Sequence, residues 1–371
     1  MKAMAVFPAT REIKLIEHPE PQISAPTEVK LRMLEVGICG TDRDIATFVY
    51  GTPPPGEDYL IIGHESLGEV VEVGAQVQNF RPGDLVVLMV RRPCPDPHCM
   101  ACRAGRPDFC FTGRYKERGI KELHGYMTEF VVDDQKYMNL VPRELRQVAV
   151  LTEPLTIAEK GLAQVLLVQQ RLPWGCPQPA QGEPGYCHQA LVLGAGPVGL
   201  LGALTLRRAG FKTCVYSRVF DPQRIGQLLE SIGAEFIAAP ETPLGALPGR
   251  IGNIDLIFEA TGASTLAFDA MPFLGTNAVF VFTGVPGRKG PISVEGNLIM
   301  RDLVLKNQIV FGTVNADRSA FEAAIRDLDV FTSRWPNTVP ALITGRHPIE
   351  AAPEFLVKLT PGIKQIITIS G

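Results

Sequence analysis

The segment ALVLGAGPVGLLGALTLRRAG, residues 190–210, constrains this chain more than any other. A short apolar run ends at Leu193, a glycine loop follows, and a helical pattern runs from about 197 to 209. The loop reads G-x-G-x-x-G at Gly194, Gly196 and Gly199. In such a setting the first glycine allows the tight turn and the second lets the backbone approach a pyrophosphate. The third lets the helix pack on the sheet. Backbone N–H groups and the helix dipole then face the phosphates. Alone, the pattern would equally suit a glycine-rich turn in another α/β fold. Further βα units argue against that: TCVYS (213–217), a helix near 222–233, IDLIFEATG (254–262), a helix near 263–274, and AVFVFTG (278–284). The pattern predicts a Rossmann, doubly wound parallel sheet over 189–315. Candidate cofactor contacts are Gly194, Gly196, Pro197, Val198 and Gly199, with Thr261, Gly262 and Thr283 in the later units.

The end of the second strand bears on which dinucleotide binds. An NAD site usually carries Asp or Glu there for the ribose 2′-hydroxyl. This chain has Ser217 and Arg218 instead, in YSRVFDPQR. A hydroxyl and a guanidinium suit a 2′-phosphate, which arginine holds bidentately. The competing reading makes Arg218 a surface residue and Asp221 the ribose contact. Asp221 precedes Pro222, and Asp-Pro reads as an N-cap followed by the first helical residue. The preferred cofactor is therefore NADP, with NAD also used.

Flanking composition differs from that centre. Residues 190–285 hold 13 of the 36 glycines but only 6 of the 31 prolines. Proline-rich flanks suggest a turn-rich, mainly β part. A net charge of −3 and a pI near 6.1 give no footprint for nucleic acid. No apolar run is long enough to span a membrane. The start, MKAMAVFPATREIKL, lacks the apolar stretch of a secretory signal. A cytoplasmic location is the expectation, so the eight cysteines are expected as thiols or metal ligands rather than structural disulfides.

Four of them cluster. Cys94, Cys99, Cys102 and Cys110 are spaced C-x4-C-x2-C-x7-C. Four thiolates in so short a stretch read as a closed tetrahedral zinc site, structural because it leaves no place for substrate. Two disulfides or free thiols are the alternatives. A second candidate group is dispersed: Cys39 in VGICGTD, His64 and Glu65 in GHESLGEVVEVG, and Glu153 in LTEPLTIAEKG. Cys, His and Glu are ligand types of an open catalytic zinc site. Each also has a plain alternative, as a buried thiol, a strand-face charge or a helix-end acid, and spacing alone does not join them.

Taken in order, VGICGTD, GHE, the four-cysteine lobe, EPL and GAGPVG resemble the zinc-containing medium-chain dehydrogenases over essentially the whole chain. VRRPC, DFCFTGRYKERGIKELHGYMTEFVVDD, RLPWGCPQPAQGEPGYCHQALVLGAGPVG and FGTVNADRSAFEAA resemble the archaeal-type glucose 1-dehydrogenase subgroup. That resemblance implies a GroES-like, mostly β catalytic domain over 1–188 and 316–371, with the Rossmann domain at 189–315. It implies oxidation of an aldose, glucose or galactose, at C1 to the aldonolactone. Cys39, His64 and Glu153 match the catalytic zinc ligands, with Glu65 a fourth or exchangeable one. Thr41 resembles the hydroxyl that starts a proton relay. Glu117 and Asn315, together with Thr41 and Glu153, match sugar contacts, and Asp42 and Asp44 are further candidates. Cys94, Cys99, Cys102 and Cys110 match the lobe zinc, although the first spacing is x4 rather than x2, so that loop must bulge. The implied assembly is a homo-oligomer, tetramer or dimer. Rival readings are a sorbitol- or threonine-type alcohol dehydrogenase, a non-catalytic NADP-binding relative, and a purely structural two-zinc module.

Overall fold

A computed structural model of the chain describes residues 1–177, 183–287 and 290–370. The chain divides into two compact units. One comprises Met1–Thr156, Asn315–Thr332 and Val339–Gly371, the other Ile157–Val314 and Ser333–Thr338. The first boundary falls inside the helix Thr152–Gln169, ahead of residue 188. Most of that helix and the connection after it group with the second unit.

Among the described residues, the second unit holds six parallel strands. Their spatial order is Glu235–Ala238, Lys212–Ser217, Gln189–Leu193, Leu256–Glu259, Val279–Phe282, Ile309–Gly312. This is a doubly wound order, with this sheet's first strand in sequence, Gln189–Leu193, in the middle. Ala190, Leu191, Val192 and Leu193 are all fully buried. Continuous apolar burial is what a parallel strand covered on both faces requires. Gly194 takes φ +103, and the helix Pro197–Arg208 starts at once, with Gly196 as N-cap and Pro197 at its first position. Its last turn carries Arg207 and Arg208, which suit the negative end of the dipole.

One expectation fails here. Cys176 and Cys187 form a disulfide rather than standing as thiols; the other six cysteines are free. The argument from compartment is statistical and does not bear on a particular pair. The connection that holds these cysteines has little apolar periodicity. It is tied down instead by the cross-link and by Trp174 stacked on His188, with ring centroids 3.8 Å apart.

In the first unit a sheet runs Met138–Val141, Leu85–Leu88, Glu65–Val73, Glu28–Gly37, Lys364–Thr368, Ile343–Pro348. Glu28–Gly37 is its centre. Phe130–Asp134 pairs with the first half of that strand, and Lys364–Thr368 returns from the end of the chain to pair with Glu35–Gly37. Across its other side, Gly37 lies opposite Glu65. Leu31, Met33, Val36, Tyr126, Met127 and Ile367 fill the core beneath.

The approach to Glu65 is set by backbone. Gly63 has φ +92 and Gly119 φ +71. A Cβ on Gly119 or on Gly125 would collide with the Gly63 carbonyl oxygen, which accepts the Tyr126 N–H at 2.9 Å. Residues 117–126 thus rest directly on the main chain one position before His64. Gly119→Ala should lower the thermal midpoint by several degrees, about 2 kcal/mol or more, because it adds both a clash and a strained φ. Thermal denaturation of the variant at unchanged wild-type midpoint would show that this contact is dispensable.

Candidate active site

Cys39 caps the N-terminus of the short helix Gly40–Ala46, and its N–H donates to Asp42 Oδ2 at 2.8 Å. Gly63 turns the chain so that His64 and Glu65, which a regular strand would point to opposite faces, approach one point. One ligand atom each from Cys39, His64 and Glu65 lies within 4.8 Å of the others. His64 and Glu65 are buried and Cys39 is half-buried. Sulfur, imidazole nitrogen and carboxylate oxygen converging in this way suit zinc. Thr41 Oγ1 is 3.9 Å from Cys39 Sγ.

Glu153 stands in the first turn of the helix Thr152–Gln169. It falls outside the 4.8 Å group but within the field of His64, Glu65, Lys364 and Asp42. Burial pushes its carboxyl up to about 7, opposed by His64 and reinforced by Glu65.

Two further residues complete the cluster. Asp42, expected from sequence to face a sugar, is wholly buried, with Oδ1 3.2 Å from His64 Nδ1. A carboxylate behind a ligating imidazole fixes its tautomer and orientation. Burial works against a charged His64, but Asp42 and then Cys39 outweigh it and hold the imidazole well above its ordinary value. Lys364 is the second. Its ammonium is buried in an ion pair with Glu65 Oε2 and donates to the Ile38 carbonyl at 2.9 Å. A Cβ at Gly37 would collide with that Glu65 oxygen, so the absent side chain provides the niche. The sequence shows Lys364 as one cation in an apolar strand, a weak signal with no partner attached.

The predicted sugar contacts also meet. Glu117, on the strand Lys116–Arg118, is 4% exposed, and Asn315 Nδ2 donates to its Oε1 at 2.9 Å. Asn315 takes φ +59, a left-handed conformation that asparagine tolerates. Asp44 is exposed.

The four lobe thiols gather in turn, with all ligand atoms within 4.8 Å. The two extra residues of the x4 spacing form a turn in which Asp96 Oδ1 accepts the His98 N–H at 2.9 Å. The Cys99 N–H returns to the Asp96 carbonyl at 3.2 Å. Cys94 therefore reaches the cluster. Burial pushes Cys102 up to about 12, whereas at Cys110 the Thr112 hydroxyl and backbone outweigh burial and bring it down to about 6. Four sulfurs and no oxygen make a closed set for zinc.

In the second unit the predicted cofactor residues line the carboxyl ends of the strands. Gly196 has nothing within 4 Å of where a Cβ would stand, while a Cβ on Gly199 would strike the Gly194 carbonyl. The fingerprint loop is thus open at its middle glycine and closed at its last. Ser217 Oγ accepts the Ala195 N–H at 3.1 Å. Arg218 is exposed beside it. Asp221 Oδ1 caps the next helix by accepting the Arg224 N–H at 2.9 Å. Thr261, Gly262 and Thr283 share one anchor that the sequence reading missed. Buried Glu259 accepts the Thr261 N–H at 2.6 Å, the Thr261 hydroxyl at 2.5 Å and the Gly262 N–H at 2.9 Å through Oε1. The Thr283 hydroxyl bonds its carbonyl at 2.7 Å.

Comparison with known proteins finds relatives along the whole chain. Residues 146–369 match the family model described as the glucose dehydrogenase C-terminus, and residues 25–143 match the alcohol dehydrogenase GroES-like domain. The chain is 40% identical to a glucose 1-dehydrogenase of Methanocella arvoryzae, over 100% of this chain and 99% of that one. It is also 40% identical to a glucose 1-dehydrogenase of Thermoproteus tenax, again over 100% and 99%. The glucose dehydrogenase of Haloferax mediterranei, solved in complex with NADP, Zn and gluconolactone, superposes with a TM-score of 0.87. Identity is 31%, and both chains are covered completely.

The two metal centres should separate on mutation. His64→Ala should retain one equivalent of zinc and wild-type stability of the lobe. Cys102→Ser should lose the lobe equivalent and with it thermal stability, since a structural zinc contributes folding energy. Metal analysis beside thermal denaturation checks both; two zinc ions and an unchanged midpoint in Cys102→Ser would discredit the lobe centre.

Proposed function

The chain belongs to the zinc-containing medium-chain dehydrogenases of the archaeal glucose dehydrogenase type, and we propose on that premise that it oxidises an aldose at C1 to the aldonolactone with NADP as the preferred acceptor. The observation that carries this reading is the pairing of an open Cys–His–Glu donor set with a separate buried Glu117–Asn315 pair in the same unit. The first suits a reacting hydroxyl and the second suits the remaining hydroxyls of a sugar.

Zinc held by Cys39 and His64 with a carboxylate from Glu65 or Glu153 would supply a Lewis acid that makes a hydroxyl easier to deprotonate, and a bound nicotinamide would accept the hydride. The protein's residues supply the rest. Asp42 keeps the His64 ring oriented for ligation. Thr41, beside Cys39, takes up the released proton and passes it outward. Glu65, whose carboxylate converges with Cys39 and His64 while pairing with Lys364, serves as the exchangeable ligand beside the reaction. Glu117 and Asn315 bind sugar hydroxyls and discriminate among sugars, because a buried polar group left unpaired is costly.

The cofactor loop is built for phosphate at the open Gly196 and for a 2′-phosphate at Ser217 and Arg218. With Asp221 engaged as an N-cap, no acidic side chain there is left over for a ribose hydroxyl, which favours NADP over NAD.

We also place the protein in the cytoplasm as a dimer or tetramer. The strand Ile309–Gly312 is an open sheet edge, and the helix Gly296–Leu305 buries none of its residues while exposing Met300, Val304 and Leu305. An open edge and an apolar helix call for cover from another copy. Among the described residues no helix is long and apolar enough to cross a membrane.

An aldose and polyol panel assayed with NADP and NAD in parallel tests the substrate class. Glucose or galactose should be oxidised and sorbitol and threonine should not. On the same panel, Arg218→Ala should weaken NADP and leave NAD little changed; equal losses would remove Arg218 from the 2′-phosphate. Glu65→Gln should keep its zinc yet lose about 100-fold or more in kcat, the scale of a positioned acid–base group. Full activity in that variant would reduce Glu65 to a packing residue.

A further inference from the structure

Arg91 is buried at 5% exposure, yet it touches none of the metal ligands. Its contacts are specific. Nε and Nη2 both lie against Glu117 Oε1, at 3.0 and 2.9 Å. Nη1 donates to the Asp108 carbonyl at 3.2 Å. The guanidinium carbon lies over the Tyr115 ring, 3.7 Å from its centroid, and Lys121 Nζ is 4.4 Å from the same centroid. Asn315 Nδ2 then adds its donor, at 2.9 Å, to the same Glu117 oxygen.

An arginine usually meets a carboxylate with both forks on both oxygens. Here three N–H donors crowd one oxygen. Oε2 takes none of these bonds. With Oε1 taken up by three donors, Oε2 is the oxygen left to accept a further hydrogen bond. A neutral hydroxyl can supply it without adding charge.

We propose that Arg91 is a positioning residue for the sugar: it locks Glu117 through Oε1 so that Oε2 accepts a hydrogen bond from an aldose hydroxyl away from C1. The proposal rests on the reading of Glu117 as a sugar contact. The turn that carries Glu117 sits on the main chain at Gly63, so the Arg91 clamp fixes this acceptor relative to His64. Arg91 thereby acts on substrate pose and leaves the reacting atoms alone. The competing role is a brace, in which the Asp108 bond merely ties the strand Arg91–Arg92 to the cysteine lobe.

A double-mutant cycle separates the two. Arg91→Lys keeps the charge but replaces the aimed fork by a point charge. It should raise the KM for the aldose by about tenfold to a hundredfold, the scale of a charge-assisted hydrogen bond. Its kcat, its KM for NADP and both zinc equivalents should remain. Glu117→Gln should raise the same KM, and Arg91→Lys should then add almost nothing on top of it. Calorimetric binding of the aldonolactone to the NADP-loaded enzyme should follow the same pattern without turnover. A wild-type KM in Arg91→Lys overturns the proposal. So does a full Arg91→Lys effect in the Glu117→Gln background, or loss of lobe zinc together with kcat, which marks a brace. If the wild type oxidises a polyol and no aldose, the functional reading falls instead, and the cycle run on that polyol shows whether Arg91 still acts through Glu117.

Discussion

The site depends on balancing buried charge. Asp42, Glu65 and Glu153 bring three carboxylates to one region, and the Cys39 sulfur adds to them. Such a group would be prohibitive in a protein interior without cations to answer it. His64 Nδ1 faces Asp42, and the Lys364 ammonium answers Glu65. A divalent cation where Cys39, His64 and Glu65 converge would answer what Lys364 leaves. Lys364 reaches its place only because the end of the chain returns to the first unit and lays Lys364–Thr368 beside Glu35–Gly37. The split of the first unit into separate stretches of sequence is therefore tied to the electrostatics of the site, since the N-terminal stretch alone would bury Glu65 with no counter-charge.

The same dependence explains what could be read in the sequence and what could not. The fingerprint from Gly194 to Gly199 was legible because a phosphate-binding turn is local: the strand, glycines and helix are neighbours in the chain. The lobe cysteines were legible for the same reason. Cys39 and His64 are dispersed, and spacing alone did not join them to each other or to Glu65. Lys364 was invisible because its partner is about 300 residues away and a single lysine carries no pattern. Asp42 was noticed but turned the wrong way, since CGTD does not reveal that its carboxylate folds back under His64. Glu259 was hidden by its position in an apolar strand, where only the pairing of neighbouring strand ends shows that one carboxylate gathers the N–H groups of two loops.

The x4 spacing of the lobe illustrates how a local departure is absorbed. Two extra residues might be expected to pull Cys94 away from its partners. Asp96 instead closes them into a turn of their own, and its carboxylate also meets Arg114 at 2.5 Å. Ligand spacing in a thiolate lobe is thus a constraint on where the sulfurs end, and a well-capped turn can take up the difference.

The stacking of Gly63, Gly119 and Gly125 has a consequence for how such an enzyme could change its substrate. Main chain rests on main chain there, with no side chain between. A side chain is adjustable packing: it can be shortened, lengthened or rotated by mutation, and the gap it fills changes in small steps. Bare backbone has no such increments. The height of the Glu117 turn above the His64 segment is in effect a fixed gauge, and a substitution at any of the three glycines would move it by a whole atom or break it. New sugar preferences would then have to arise from side chains carried on the turn, with the distance from reader to reaction centre held constant.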